Sequence, residues 1–226
     1  MRKIIGMPEE LFAKIASEFA EAAEKKPEAA FGFTAVDVPA GALAAIAESG
    51  ADFSRAQAFN ACEYAGDAAS GPHSQAAALQ ALLYDKTPFA AVHVPAEGDG
   101  YDAAIREAGG LELVLLGVGE RGHVAFCEPG VEFGSETGTM KLADVTRKLA
   151  SEQFGSLDDT PTHGVTMGIS TLLAAKRILL VACGEDKANA VQKTLEGRPE
   201  TFIPASFLQL HTDVTVFLDP DAASKL

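Results

Sequence analysis

Two spacings of apolar residues organise this chain. Leu11, Phe12, Ile15, Phe19 and Ala22 recur at helical spacing with Glu and Lys between them, and Pro8 stands where a helix favours its first residue. Pro27 closes that helix, and residues 2–6 before it read as a short first strand. Ala30–Val36 reads as a strand and Pro39–Glu48 as a helix. Ala56–Asn60 is a shorter strand, His73–Tyr84 a helix, Ala90–Val94 a strand and Tyr101–Ala108 a helix. Leu111–Leu116 is a continuous apolar run ended by glycines, the pattern of a strand covered on both faces. Ala143–Phe154 reads as a helix, Arg177–Cys183 as a second continuous apolar strand, Asp186–Leu195 as a helix and Val214–Leu218 as the last strand.

Buried strands alternating with helices predict an α/β fold: a doubly wound, mostly parallel sheet with helices on both faces. No internal repeat, low-complexity tract or linker interrupts the pattern, so residues 1–226 are expected to form a single domain. In such sheets the site lies beyond the carboxyl ends of the strands. Four such loops converge here. Asp37-Val38-Pro39 follows the second strand, and Ala61-Cys62-Glu63-Tyr64 the third. A glycine turn with Glu120, Arg121 and His123 follows Leu111–Leu116, and Gly184-Glu185-Asp186-Lys187 follows the later apolar strand.

The formal net charge of −14 narrows the partners. Such a surface repels nucleic acid and anionic membrane, and it gives a phosphorylated substrate no long-range attraction, so any anion site must be built locally. No apolar run approaches the length of a membrane span, and Met1–Gly6 is too short in apolar length for a signal peptide. The three cysteines, Cys62, Cys127 and Cys183, are widely spaced and make no CxxC pair, which points to reduced thiols and a cytoplasmic location. His93, His163 and His211 are scattered without metal-ligand spacing, so no metal is expected.

His123 is the candidate acid/base group, because imidazole titrates near neutrality. Glu128, five residues on, is expected to orient the ring and hold its proton. Lys187, at a helix start, is a candidate anion anchor, with backbone N–H groups pointing the same way.

Five ordered segments carry a family resemblance. Leu-Leu-Gly-Val-Gly-Glu-Arg-Gly-His-Val-Ala-Phe-Cys-Glu-Pro-Gly resembles the signature GxGxDGHIAFNEPG of glucosamine-6-phosphate deaminases. Phe59–Tyr64 resembles that family's FNxDEY, Thr166–Leu173 its LTxGxGTLL, Gly184–Ala188 its GxxKA, and Pro204–His211 its PASxLQLH. The superfamily also holds galactosamine-6-phosphate isomerases and 6-phosphogluconolactonases. The resemblance implies a deaminase-like sandwich, no cofactor, and a protein of aminosugar metabolism whose partner is a small sugar or sugar phosphate. It leaves homo-oligomerisation open. It implies that His123, steadied by Glu128, opens the sugar ring, that a carboxylate then moves a proton between C2 and C1, and that Lys187 holds the phosphate.

The departures fall at the site. The carboxylate that takes the C2 proton is here Cys62, and the acid that backs the histidine is Arg121, a cation expected to lower the pKa of His123. Gly32–Pro39 replaces a hydroxyl-rich phosphate loop and places Asp37 where it would repel a phosphate, and Glu152 aligns with a phosphate-binding arginine. The expected catalytic set is therefore His123, Glu128, Cys62, Glu63 and Arg121, and the expected substrate-binding set Lys187, Gly119, Gly122 and Thr34. Three functions follow: a deaminase or isomerase with a rearranged site, a non-catalytic homologue binding a sugar or other metabolite, or an enzyme acting on a non-phosphorylated compound.

Overall fold

The computed structural model describes residues 1–98 and 100–226. The chain runs β1 (Arg2–Ile5), α1 (Pro8–Lys25), β2 (Ala30–Phe33), α2 (Ala40–Ala47), β3 (Gln57–Asn60), β4 (Cys62–Tyr64), α3 (Gln75–Leu79), β5 (Ala91–His93), α4 (Tyr101–Glu107) and β6 (Leu111–Gly117). It continues through β7 (Gly138–Lys141), α5 (Asp144–Phe154), β8 (His163–Thr166), α6 (Ile169–Leu173), β9 (Ile178–Ala182), α7 (Ala188–Glu196) and β10 (Val214–Leu218). Seven strands form one sheet in the order β1-β10-β9-β6-β2-β3-β5. Every pairing in it is parallel. The doubly wound α/β architecture is the one the apolar pattern predicts. Among the described residues no helix is long and apolar enough to cross a membrane.

The period-2 pleat sorts the central strands onto two cores. Leu113 and Leu115 of β6, with Leu179 and Val181 of β9, face α1 and α2. Val114 and Leu116, with Ile178 and Leu180, face the opposite core, which α4, α6 and α7 cover with Tyr101, Ile105, Leu172 and Val191. In the first core, Phe19 of α1 lies 5.5 Å from Phe31 and 5.1 Å from Phe33, ring centre to ring centre. This is where the helical spacing read from the sequence meets the strand.

Several boundaries differ from the sequence reading. β2 ends at Phe33, not Val36, because Thr34 turns the chain out of the sheet: its Oγ1 accepts a hydrogen bond from the Val36 amide at 3.1 Å. The helix expected from His73 starts at Gln75, since Ser74 caps it by accepting from the Ala77 amide at 3.0 Å, and it ends in a wider π turn, Gln80–Tyr84. The Asp186 helix opens as a 3₁₀ turn, Glu185–Lys187, before α7. The largest difference is a second, antiparallel sheet, β4-β8-β7. Cys62–Tyr64, read as a loop, is its first strand, with Cys62 opposite Thr166. Three-residue and four-residue strands are too short to show a period in the sequence.

Phe19 is fully buried. Phe19→Ala is expected to cost about 3–5 kcal/mol, the usual range for deleting a buried aromatic ring. Urea unfolding of the variant measures it.

Candidate active site

Strand order explains why the site assembles. β9, β6 and β2 are neighbours in the middle of the sheet. The segments leaving their carboxyl ends carry Lys187, His123 and Asp37 respectively. Parallel neighbours present those ends on one edge, so residues up to 150 positions apart in sequence meet there.

After β6 the chain makes a tight turn. The Gly119 amide donates to the His123 carbonyl at 3.0 Å, and the Gly122 amide donates to the Gly119 carbonyl at 2.8 Å. Gly122 takes the left-handed conformation at φ +78°. A Cβ on Gly119 would collide with the imidazole of His123, so only glycine lets the ring lie across the turn. Gly119 and Gly122 thus shape the seat of the histidine. The Gly122 carbonyl is itself tied down, accepting from the Ala205 amide at 2.8 Å.

His123 is buried, and its Nε2 donates to Asp37 Oδ2 at 2.8 Å. Lys187 Nζ donates to the other oxygen, Oδ1, at 2.6 Å. Asp37 is one of two non-glycine residues with positive φ among those described, at +56°. Its carboxylate therefore bridges the two groups expected to face substrate. Burial works to raise the carboxyl pKa, but the hydrogen bond and charge of His123, with the charge of Lys187, outweigh it and bring Asp37 down to about 2. Burial works against protonation of His123. The hydrogen bond and charge of Asp37 overcome it, with Glu128 adding to the effect and Lys187 opposing it, so the imidazole pKa lies above its ordinary value.

Two expectations are corrected here. Glu128 does not orient the ring: among the described residues no hydrogen bond joins them. Glu128 is buried, its Oε1 accepts from the Ala143 amide at 3.2 Å just before α5, and it acts on His123 through charge. Its Oε2 and the Nδ1 of His123 are both buried without a hydrogen-bond partner. Arg121 does not lower the pKa of His123. Arg121 is exposed, and the groups that set the imidazole are Asp37, Glu128 and Lys187. The carboxylate that meets the ring comes instead from the loop after β2.

Cys62 is buried, with Sγ 3.6 Å from the Thr34 hydroxyl, and burial drives its pKa far up, which keeps the thiol protonated. Thr34 is buried too, occupied by Cys62 and the Val36 amide. Glu63 is fully buried and accepts from the amides of Tyr64 at 2.7 Å, Gln75 at 2.9 Å and Ala76 at 2.7 Å. Its carboxylate thus anchors the start of α3. Burial raises its pKa against the pull of those three amides. Glu152 is exposed on α5.

A cavity of about 350 Å³ opens onto this cluster. Asp37 and His123 form one wall, Tyr64 and Gln75 another, and Leu149 and Gln153 of α5 a third. Cys62, Thr34, Glu63 and Lys187 lie outside the wall residues. Sequence reasoning placed Tyr64 in a site loop and singled out Glu152 on α5, but it passed over Gln75, Leu149 and Gln153, and it read Asp37 as an obstacle to phosphate, not as the partner of His123. The signal for Asp37 was present: a charged residue two positions before Pro39 at a strand exit, of a type that tolerates positive φ.

Fold and site define an α/β protein with a histidine–carboxylate–lysine chain at the carboxyl edge of a parallel sheet. The chain belongs to the family of glucosamine-6-phosphate isomerases/6-phosphogluconolactonase, which residues 6–217 match. A glucosamine-6-phosphate deaminase of Clostridium botulinum is 36% identical, covering 96% of this chain and 95% of that protein. One from Exiguobacterium sibiricum is 42% identical over 74% of this chain and 69% of that protein. A monomeric glucosamine-6-phosphate deaminase of the NagB superfamily superposes with a TM-score of 0.93 at 32% identity, covering 100% of both chains. The Thermotoga maritima 6-phosphogluconolactonase, at 18% identity and TM-score 0.72 over 96% of this chain and 98% of that one, shares the fold.

The Asp37 chain should leave a mark on stability at both ends of the pH scale. The lowered Asp37 pKa contributes stability that is complete above 3.8 and lost as pH falls toward about 2. The raised His123 pKa contributes stability that is complete below 6.5 and lost as pH climbs through the folded value. Asp37→Asn is expected to flatten the unfolding midpoint across both windows; an unchanged pH profile in urea titrations would contradict the bridge.

Proposed function

We propose that this chain is a deaminase/isomerase-like protein of aminosugar metabolism that binds a sugar in the cavity over His123 and Asp37 and opens its ring, without deaminating it at the full rate of a family enzyme. The observation that carries this reading is the 2.8 Å His123–Asp37 pair on the cavity wall. Ring opening removes a proton from the anomeric hydroxyl and delivers one to the ring oxygen. A carboxylate and an imidazole side by side supply an acceptor and a donor for that exchange. Moving a proton between C2 and C1 asks for more. The residue aligned with the family's base is Cys62, whose thiol is buried, held by Thr34 and protonated. Asp37, at about 2, is a weak base for a carbon acid. Loss of general-base catalysis typically costs about 10²–10⁴ in rate.

The test follows anomer exchange and ammonia release side by side on glucosamine and glucosamine 6-phosphate. Catalysed exchange that disappears in His123→Ala, with ammonia release about 10²-fold or more below that of a family deaminase, is expected. Absence of catalysed exchange on either sugar, or ammonia release that survives His123→Ala, would overturn the reading.

A further inference from the structure

We propose that Asp37 is a built-in anion that occupies the seat of Lys187, so that the cavity admits uncharged or cationic sugars and turns phosphorylated ones away. Its basis is the reading of the cavity as a sugar site, but the geometry of the anion seat stands by itself.

Lys187 is mostly buried, with 13% of its side chain exposed, and both of its ionic contacts are carboxylates: Asp37 at 2.6 Å and Asp186 at 3.6 Å. Asp37 also takes Nε2 of His123, the other donor on that edge that could meet an anion. One side chain thus satisfies two cationic or proton-bearing groups, as an oxyanion of a ligand would. The backbone turns into the left-handed region to put it there, with Asp37 at φ +56°. The cavity wall carries no lysine or arginine among the described residues.

A phosphate group, with a charge of about −1.5 to −2, would have to evict Asp37 or lie against it unpaired. Sugar hydroxyls and an ammonium group face no such penalty. They can donate to the lone pairs that Asp37 keeps beyond its two bonds. A volume of about 350 Å³ suits one small ligand.

The experiment uses the whole chain and three probes: inorganic phosphate, glucosamine and glucosamine 6-phosphate, with thermal shift and calorimetric titration as readouts. Asp37→Gly removes the carboxylate at a backbone position that glycine adopts freely, and Asp37→Asn removes the charge while keeping the shape. The wild type is expected to respond to glucosamine and not to inorganic phosphate. Asp37→Gly should bind inorganic phosphate and glucosamine 6-phosphate about tenfold or more tightly than the wild type, the worth of one charge-assisted hydrogen bond. Asp37→Asn should shift in the same direction, and adding Lys187→Ala should abolish the gain. Wild-type protein that binds phosphate as tightly as Asp37→Gly overturns the proposal. So does a folded Asp37→Gly that gains no phosphate binding. Phosphate gain in Asp37→Gly without a response to any sugar supports the anion seat and sinks the sugar reading instead.

Discussion

One carboxylate holds the candidate site together. Asp37 lies between the ammonium of Lys187 and the imidazole of His123, 2.6 and 2.8 Å away. Each of these groups is largely removed from solvent, where an unpaired charge is costly. Linked, they form a chain of charge-assisted hydrogen bonds in which every member stabilises the next. The sheet supplies the distance. β9, β6 and β2 are adjacent and parallel, so the three exits fall side by side and a short side chain spans them. The glycines after β6 let the imidazole lie flat on its own turn, close enough to Asp37 to share a proton.

The rest of the expected site is committed to architecture. Glu63 spends its oxygens on three amides at the start of α3. Cys62, in the second sheet, meets the Thr34 hydroxyl, and Glu128 braces the entry to α5. Glu63 and Glu128 shape the cavity indirectly, by fixing the starts of α3 and α5, whose side chains form two of its walls. Arg121 is left in solvent. The Cys62 thiol fills a buried position in β4. On the cavity wall His123 and Asp37 are paired, with Tyr64 and Gln75 facing the same space.

Legibility varied with element length and with the range of the interaction. α1 was readable because its apolar residues recur at helical spacing, and β6 and β9 because their continuous apolar runs face cores on both sides. The strands of the second sheet were not readable. They are three or four residues long, and β4 joins the sheet through a partner about a hundred positions away, as for Cys62 and Thr166. His123 and Lys187 stood out through glycine turns and a helix start, and the structure brings them to one edge. The partner of His123 did not stand out. Glu128 is near in sequence but binds a backbone amide, while Asp37 is 86 positions away and binds the ring.

Alternating apolar runs and glycine-ended strands determined the α/β class and the edge on which chemistry would gather, and five ordered motifs carried the family resemblance. These are local properties, set by the period of side chains along a backbone and by which residues tolerate a turn. Which carboxylate meets the histidine, which is spent on a helix start, and whether the lysine is free or already paired were decided only by the tertiary structure. Those outcomes depend on ångström-scale competition among charged groups from separate loops. Burial makes an unpaired charge too costly to leave, so the nearest partner in space takes it whatever its position in the chain.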